Sequence, residues 1–291
     1  MSPRLSLPQR GALIALRLLP KQLLSRLAGQ LASFHWPPPL HRVIVGSFAR
    51  AVGADLAEAD EPLSAHRSIQ EFFVRRLRPG VRPLDPDPRA LTSPCDGAWG
   101  EAGRVRDGAA VQAKGRLYRI DELLGEDARR FEGGAFATLY LSPRDYHRFH
   151  APTALEIERV RYLPGELWPV NRLGVEGVEA LFARNERLVI FGRVQSGEGN
   201  GGEVAIVAVG ATMVGTTRLA FDDVATRTGR AAVRERRYAP AHALARGGEL
   251  GRFEFGSTLV LVAEPSVLAF DRPPEGGPVR CGRRIGWLAG D

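Results

Sequence analysis

The sequence predicts an α+β protein in which N-terminal amphipathic helices are followed by a mainly antiparallel β body. Three observations carry this reading. Leucines in the first 31 residues recur at helical spacing, a proline-studded stretch follows, and from Leu91 onward short apolar runs are bounded by Gly, Asp and Pro. With 291 residues, 44% of them hydrophobic and 25% charged, the chain can bury a sizeable core as one or two domains. Its 33 glycines and 21 prolines favour turns and short strands over long helices.

The first helical stretch, "RGALIALRLLPKQLLSRLAGQLASFHW", spaces Leu13, Leu16, Leu19, Leu23, Leu24, Leu27 and Leu31 on one face. Arg17, Lys21, Arg26 and Gln30 lie between them, and Pro20 breaks the pattern. Residues 1–50 also contain Arg4, Arg10, Arg42 and Arg50 but no Asp or Glu, so the net charge of +7 resides here and the rest of the chain is balanced. That distribution argues against a nucleic-acid surface. It fits a helix pair lying on an anionic membrane, while packing on the protein's own core or on a second subunit stays open. No apolar run approaches the roughly 20 residues needed to cross a bilayer, and no signal-peptide pattern is clear.

"RVIVGSFARAVGADLAEA" continues the helical periodicity, and "SIQEFFVRRLR" opens with Ser68 as N-cap and Glu71 at the capping-box position. "PGVRPLDPDPRALTSPCDG" is an extended connection, which places a domain change near residues 65–80. The strands expected beyond it are "GAFATLYLS", "ALEIERVRYL", "RLVIFGRVQ", "EVAIVAVGATMVGTTRLAF" and "STLVLVAE". "QSGEGNGGE" lacks the Lys-Ser/Thr of a phosphate loop and reads as a flexible connector. The two cysteines, Cys95 and Cys281, form neither a disulfide framework nor a CxxC pattern, which points to a reducing compartment.

Three clusters set reactive side chains beside turn residues: "SPCDG" with Asp96, "LSPRDYHRFHAP" with His147 and His150, and "FGST" with Gly256 and Ser257. Each alone is more simply a turn or a satisfied core residue. Together, Asp, His and Ser are the material of a base-activated nucleophile. Two other classes are weighed beside it: a zinc-dependent hydrolase using His147, His150 and Asp96, which lacks an HExxH spacing, and a non-enzymatic membrane-binding β-sandwich.

In their order, "EFFVRRLRPGVRPLD", "SPCDG", "QAKGRLYRIDELLG", "LSPRDYHRFHAP", "YLPGELWPVN", "LFARNERLVI", "VGATMVGT" and "GRFEFGST" resemble the pyruvoyl-dependent phosphatidylserine decarboxylase proenzymes of bacteria. One departure is Phe255, where that family usually has leucine. The resemblance implies self-cleavage between Gly256 and Ser257 into a β chain, residues 1–256, and an α chain, residues 257–291. It assigns Ser257 as nucleophile, His150 as base and Asp96 as the group that holds His150. It further implies a pyruvoyl cofactor made from Ser257, whose ketone takes the substrate amine as a Schiff base, and neither metal nor pyridoxal phosphate. The lysine count is in keeping with the latter, since Lys21 and Lys114 are the two in the chain. His147 is the candidate for proton transfer after decarboxylation. By the same resemblance residues 1–75 are a helical membrane-associating region and 76–291 a β-rich catalytic domain. The substrate is phosphatidylserine in the bilayer, the α and β chains stay paired without a covalent bond, protomers form a homodimer, and the protein sits peripherally on the cytoplasmic side of the bacterial membrane. No nucleic-acid partner is implied.

Overall fold

A computed structural model of the chain describes residues 11, 21–196, 199–212, 216–226, 232–254, 257–271 and 275–289. It has α1 (Lys21–Ser33), α2 (Leu40–Val52) and α3 (Ile69–Phe73), followed by β1 (Ala90–Thr92), β2 (Gly97–Arg104), β3 (Ala109–Ala113), β4 (Arg116–Arg119) and α4 (Ile120–Leu124). Next come β5 (Ala135–Leu141), β6 (Arg148–His150), β7 (Leu155–Leu163), α5 (Arg172–Gly177), α6 (Leu181–Arg184), β8 (Arg187–Ser196) and β9 (Gly199–Val209). The chain finishes with β10 (Thr217–Leu219), β11 (Arg234–Leu244), β12 (Glu249–Phe253), β13 (Ser257–Ala263), β14 (Leu268–Phe270), β15 (Pro278–Val279) and β16 (Arg284–Leu288). The α+β expectation therefore holds. The helix before the break at Pro20 falls outside the described residues.

Ser68 caps α3 as its sequence foretold: its side chain accepts from the Glu71 amide at 3.1 Å. Glu71 reaches back one residue further than a standard capping box, to the Arg67 amide at 2.6 Å. The α2 helix stops at Val52 because Gly53 adopts the left-handed conformation, so "ADLAEA" is not helical. Val45 and Ala49 of α2 pack with Phe72 of α3 in a small core of their own.

The main sheet runs β11-β7-β8-β9-β13-β5-β2-β15, antiparallel at every pairing. Its central strands read as unbroken apolar runs because both faces are covered. Leu188, Ile190, Ile206, Leu259 and Leu261 face one core, shared with Phe149 of β6 and with Leu250 and Phe253 of β12. Val189, Phe191, Val207, Val260 and Val262 face a second core, under the β3-β4 hairpin and the short helices α4 to α6. Two three-stranded sheets, β1-β16-β14 and β10-β12-β6, complete the body.

"QSGEGNGGE" is corrected by the structure: it belongs largely to the β8-β9 hairpin, not to a flexible connector. Its glycines permit close approach, since a Cβ on Gly201 would lie 2.1 Å from the Val194 carbonyl oxygen. Gly97, which opens β2 beside Asp96, is equally tight and adds a positive φ. Its φ is +152° and a Cβ there would stand 2.1 Å from the Tyr140 carbonyl oxygen of β5. Gly97→Ala therefore pries β2 from β5, and we expect soluble folded protein to be largely lost, measured by circular dichroism and yield against Gly29→Ala, where a Cβ meets open space.

Candidate functional site

The site is built where β5, β6, β12 and β13 meet. Leu141 at the end of β5 pairs with Ser257 at the start of β13, and Thr258 pairs with both Tyr140 of β5 and Val209 of β9. Residues 142–147 turn from β5 into β6, and the Asp145 carboxylate ties this turn by accepting from the Ser142 amide at 2.7 Å and hydroxyl at 2.6 Å. Buried Arg75 donates to the Arg144 carbonyl at 3.2 Å, linking the turn to the residues just after α3. On the far side, the Phe253 amide donates to the His147 carbonyl at 2.9 Å and the Glu254 amide to the Thr216 carbonyl at 2.8 Å. The chain thus approaches position 256 between the histidine turn and the segment of "VGATMVGT". Phe255 and Gly256 themselves lie outside the described residues, and Ser257 is described by its backbone alone.

His147 is fully buried, with its ring 3.8 Å from that of Phe73 between centroids. Its Nδ1 donates to the Asp145 carbonyl at 2.8 Å, since a carbonyl can only accept. That leaves Nε2 as the bare nitrogen, buried and without a hydrogen-bond partner among the described residues. Burial drives the His147 pKa down to about 3, outweighing the Asp145 carbonyl, and the nearby Arg75 charge acts in the same downward direction. His150, opposite Glu249 in the β6-β12 pair, donates from Nδ1 to the Gly247 carbonyl at 3.0 Å. Its Nε2 lies 3.1 Å from the Tyr146 hydroxyl. Burial lowers its pKa as well, against the Gly247 carbonyl and Glu249.

Asp96 is held differently from the expectation. Arg82 Nε donates to Oδ1 at 2.9 Å and Oδ2 at 3.1 Å, Arg82 Nη2 donates to Oδ2 at 2.6 Å, and the Cys281 amide donates to Oδ1 at 2.9 Å. Arg82 also spans to Glu58 at 2.6 and 3.0 Å, and Arg280 meets Glu58 at 3.0 Å. Burial would depress the Arg82 pKa, but its bonds to Asp96 and Glu58 win and raise it. The carboxylate goes to the guanidinium because a bidentate, charge-assisted pair is stronger than a bond to a neutral imidazole. Asp96 and His150 are connected instead through backbone: the His150 amide donates to the Pro94 carbonyl at 2.8 Å. His147 and His150 sit in one turn-and-strand segment but face different neighbours, Phe73 and Tyr146.

Other quoted motifs converge on the same end of the sheet. Asn185 of "LFARNERLVI" donates to the Trp168 and Gly210 carbonyls, each at 2.8 Å, and accepts from the Trp168 amide at 2.9 Å. One buried side chain thereby locks "YLPGELWPVN" to "VGATMVGT". Lys114 of "QAKGRLY" is committed to Glu176 at 2.8 Å. Among the described residues, no group of three or more His, Cys, Asp or Glu is placed to hold a metal ion. Sequence reading missed Arg75, Arg82, Tyr146 and Gly247 as site residues. Arg75, Arg82 and Tyr146 stood inside quoted motifs, whereas nothing local marks a carbonyl such as that of Gly247.

Buried His147 and half-buried His150, both with lowered pKa, stand in the segment that follows β5 where it pairs with β13, and the class the fold defines is an α+β protein with a mainly antiparallel β body. The family model for phosphatidylserine decarboxylase matches residues 69–287. A phosphatidylserine decarboxylase proenzyme of Myxococcus xanthus is 42% identical over 93% of this chain and 96% of its own length. One of an Anaeromyxobacter species is 45% identical over 94% and 97%, and one of Brevibacillus brevis 38% over 89% and 91%. The chain belongs to the phosphatidylserine decarboxylase family.

The His147 environment has a stability consequence. Its folded pKa lies near 3 against about 6.5 when unfolded, so below that upper value the unfolded chain binds a proton that the folded chain refuses. Stability contributed by the neutral ring is present above pH about 6.5 and is lost as pH falls towards 3. His147→Gln should flatten this limb: the fall in melting temperature from pH 7 to pH 4 becomes smaller than in the parent.

Proposed function

We propose that the chain decarboxylates phosphatidylserine to phosphatidylethanolamine and carbon dioxide, after cutting itself between Gly256 and Ser257. The observation that carries this reading is the meeting of the histidine turn with the backbone of β12 and β13 on both sides of that bond. In the cleavage step the Ser257 hydroxyl attacks the Gly256 carbonyl and His150 is the base. A glycine on the acyl side leaves room for the approach. His150 suits the role because burial keeps it neutral at rest and the Gly247 carbonyl fixes its tautomer, ready to steady the imidazolium that forms. Asp96 contributes by anchoring the "SPCDG" loop, whose Pro94 carbonyl holds the His150 backbone.

The pyruvoyl group that would replace Ser257 supplies an electron sink for the departing carboxylate's electrons. The residues present fit such a group at the head of β13. His147 offers a buried Nε2, unpartnered among the described residues, in the turn that follows the strand paired with β13, able to accept a proton and pass it on as the product forms. Phe73 against its ring and full burial exclude water from that nitrogen. Lys114 is occupied by Glu176, which supports chemistry that uses no lysine. The zinc and β-sandwich readings have no comparable observation in their favour.

A lipid substrate requires the site to reach a membrane. Among the described residues no helix is long and apolar enough to cross one. On α1, Leu23 and Leu27 are each 53% exposed and Leu31 61%, and Val43 of α2 is 60% exposed. Apolar side chains held this open, next to a segment rich in Arg, support peripheral association with anionic lipid by residues 1–75, with 76–291 as the catalytic part. We assign the protein to the cytoplasmic side of the bacterial membrane, as a homodimer of α/β pairs.

Denaturing mass spectrometry tests the cleavage: active protein should contain a fragment starting at position 257 with a blocked N-terminus, while Ser257→Ala and His150→Ala should give only the intact 31.7 kDa chain and no decarboxylation. An intact chain from active material overturns the proposal. Membrane contact is tested by co-sedimentation with vesicles containing anionic lipid. Leu27→Asp combined with Leu31→Asp should lower partitioning by about tenfold or more, with self-cleavage unaltered.

A further inference from the structure

A guanidinium carries five N–H donors, and in Arg82 the structure accounts for all of them. Nε donates to Asp96 Oδ1 at 2.9 Å and Nη2 to Asp96 Oδ2 at 2.6 Å. The second Nη2 hydrogen goes to Glu58 Oε2 at 2.6 Å, and those of Nη1 go to Glu58 Oε1 at 3.0 Å and to the Val81 carbonyl at 3.2 Å. A planar group bonded along two edges cannot turn without breaking a carboxylate pair, so Glu58 fixes the edge that Arg82 shows to Asp96. Glu58 is itself fixed by backbone. It stands in the turn after α2, where its carbonyl accepts from the Arg78 amide at 2.9 Å and the Asp60 amide donates to the Arg76 carbonyl at 2.9 Å. Arg280 brings a second cation to Glu58 at 3.0 Å, so two carboxylates and two guanidiniums balance. The Asp96, Arg82 and Glu58 side chains are 9%, 10% and 19% exposed, too little for water to replace a lost partner freely.

We propose that Glu58 is a positioning residue for self-cleavage, acting through Arg82 on Asp96. The inference rests on the reading of Asp96 as the anchor of the "SPCDG" loop in that reaction. Four separate stretches of chain meet in the network: the turn after α2, the proline-studded connection, the loop before β2 and the segment before β16. The first of these lies within residues 1–75, so the part of the chain assigned to the membrane also completes the catalytic part. Beyond Asp96 the constraint continues through backbone. Its Oδ1 accepts from the Cys281 amide at 2.9 Å, and the Pro94 carbonyl of the same loop accepts from the His150 amide at 2.8 Å. The hydrogen bonds from Arg82 hold the Glu58 carboxyl below the usual carboxylate range against the effect of burial, so the pair stays charged at neutral pH. Without the Glu58 carboxylate, two N–H groups of a nearly buried guanidinium lose their acceptors. Arg82 then turns to recover them at the expense of its fork with Asp96.

Newly synthesised full-length proenzyme is followed by the appearance of the fragment beginning at position 257, at a temperature well below the lowest melting point of the variants compared. Glu58→Gln keeps the size of the side chain and removes its charge. The expected result is cleavage slowed about tenfold or more, the scale of a small displacement of reacting groups. Arg82→Lys, which cannot fork, should be slowed as well. Their combination supplies a readout that a merely structural role would not give: if Glu58 works through Arg82, the double variant cleaves no more slowly than Arg82→Lys alone. Cleavage of Glu58→Gln at the parental rate, or effects that multiply in the double variant, overturns the positioning role. Should Glu58→Gln fail to fold, Glu58→Asp, which keeps the charge but is one methylene short of Arg82, is measured in its place with the same two outcomes. Asp96→Asn separates the two levels: if it is slowed while Glu58→Gln cleaves normally, the positioning role fails and the reading of Asp96 stands; if Asp96→Asn also cleaves at the parental rate, the reading of Asp96 fails.

Discussion

The pairing of β13 on both of its edges governs this molecule. From Thr258 to Val262 each residue faces a partner in β9 and another in β5, and the side chains between alternate into two separate cores. Backbone hydrogen bonding and apolar burial on both faces pin the register, because a slip of one residue would exchange Leu259 and Leu261 with Val260 and Val262 across the sheet. The position of Ser257 opposite Leu141 follows from that register. If the proposed self-cleavage occurs, its geometry would then be a by-product of sheet assembly, available only after the strands have found one another.

Around that strand, the polar groups that bond to the histidine rings are neutral. Arg82 takes the Asp96 carboxylate, and Arg75 is spent on the Phe72 and Arg144 carbonyls. The imidazoles receive carbonyl partners, which fix tautomers without conferring a full negative charge. Burial then keeps both rings neutral. A carboxylate bonded to either ring would instead raise its pKa and favour the protonated form. This division of labour explains why the "SPCDG" loop lies beside the histidine segment yet touches it through backbone.

Much of this was legible in the sequence. The strands β5, β7, β8 and β13 announce themselves by apolar content, and Ser68 with Glu71 announces α3. By contrast, β11, "RERRYAPAHAL", carries four charged residues and a proline, which suits a strand at the sheet edge with a largely solvated side and leaves no alternation to detect. The glycines of "QSGEGNGGE" looked like looseness, but Gly201 serves a tight strand contact. At the site, reactive residue types could be named from motifs. Their partners could not, because the Gly247 carbonyl, the Cys281 amide and the Arg82 guanidinium reach their targets across 97, 185 and 14 positions of chain.

The segment from Ser257 onward supplies β13 to the middle of the main sheet, β15 to its far edge, and β14 and β16 to a second sheet. Cutting ahead of it would release no slack, since every strand stays zipped. What would change is the reverse journey. An uncut chain refolds as a first-order process, whereas two pieces must meet from solution, so covalent linkage, a very high effective concentration, would be surrendered for good. The finished protein would then have a history as well as a structure: persistent while folded, and dependent on its own dilution once unfolded.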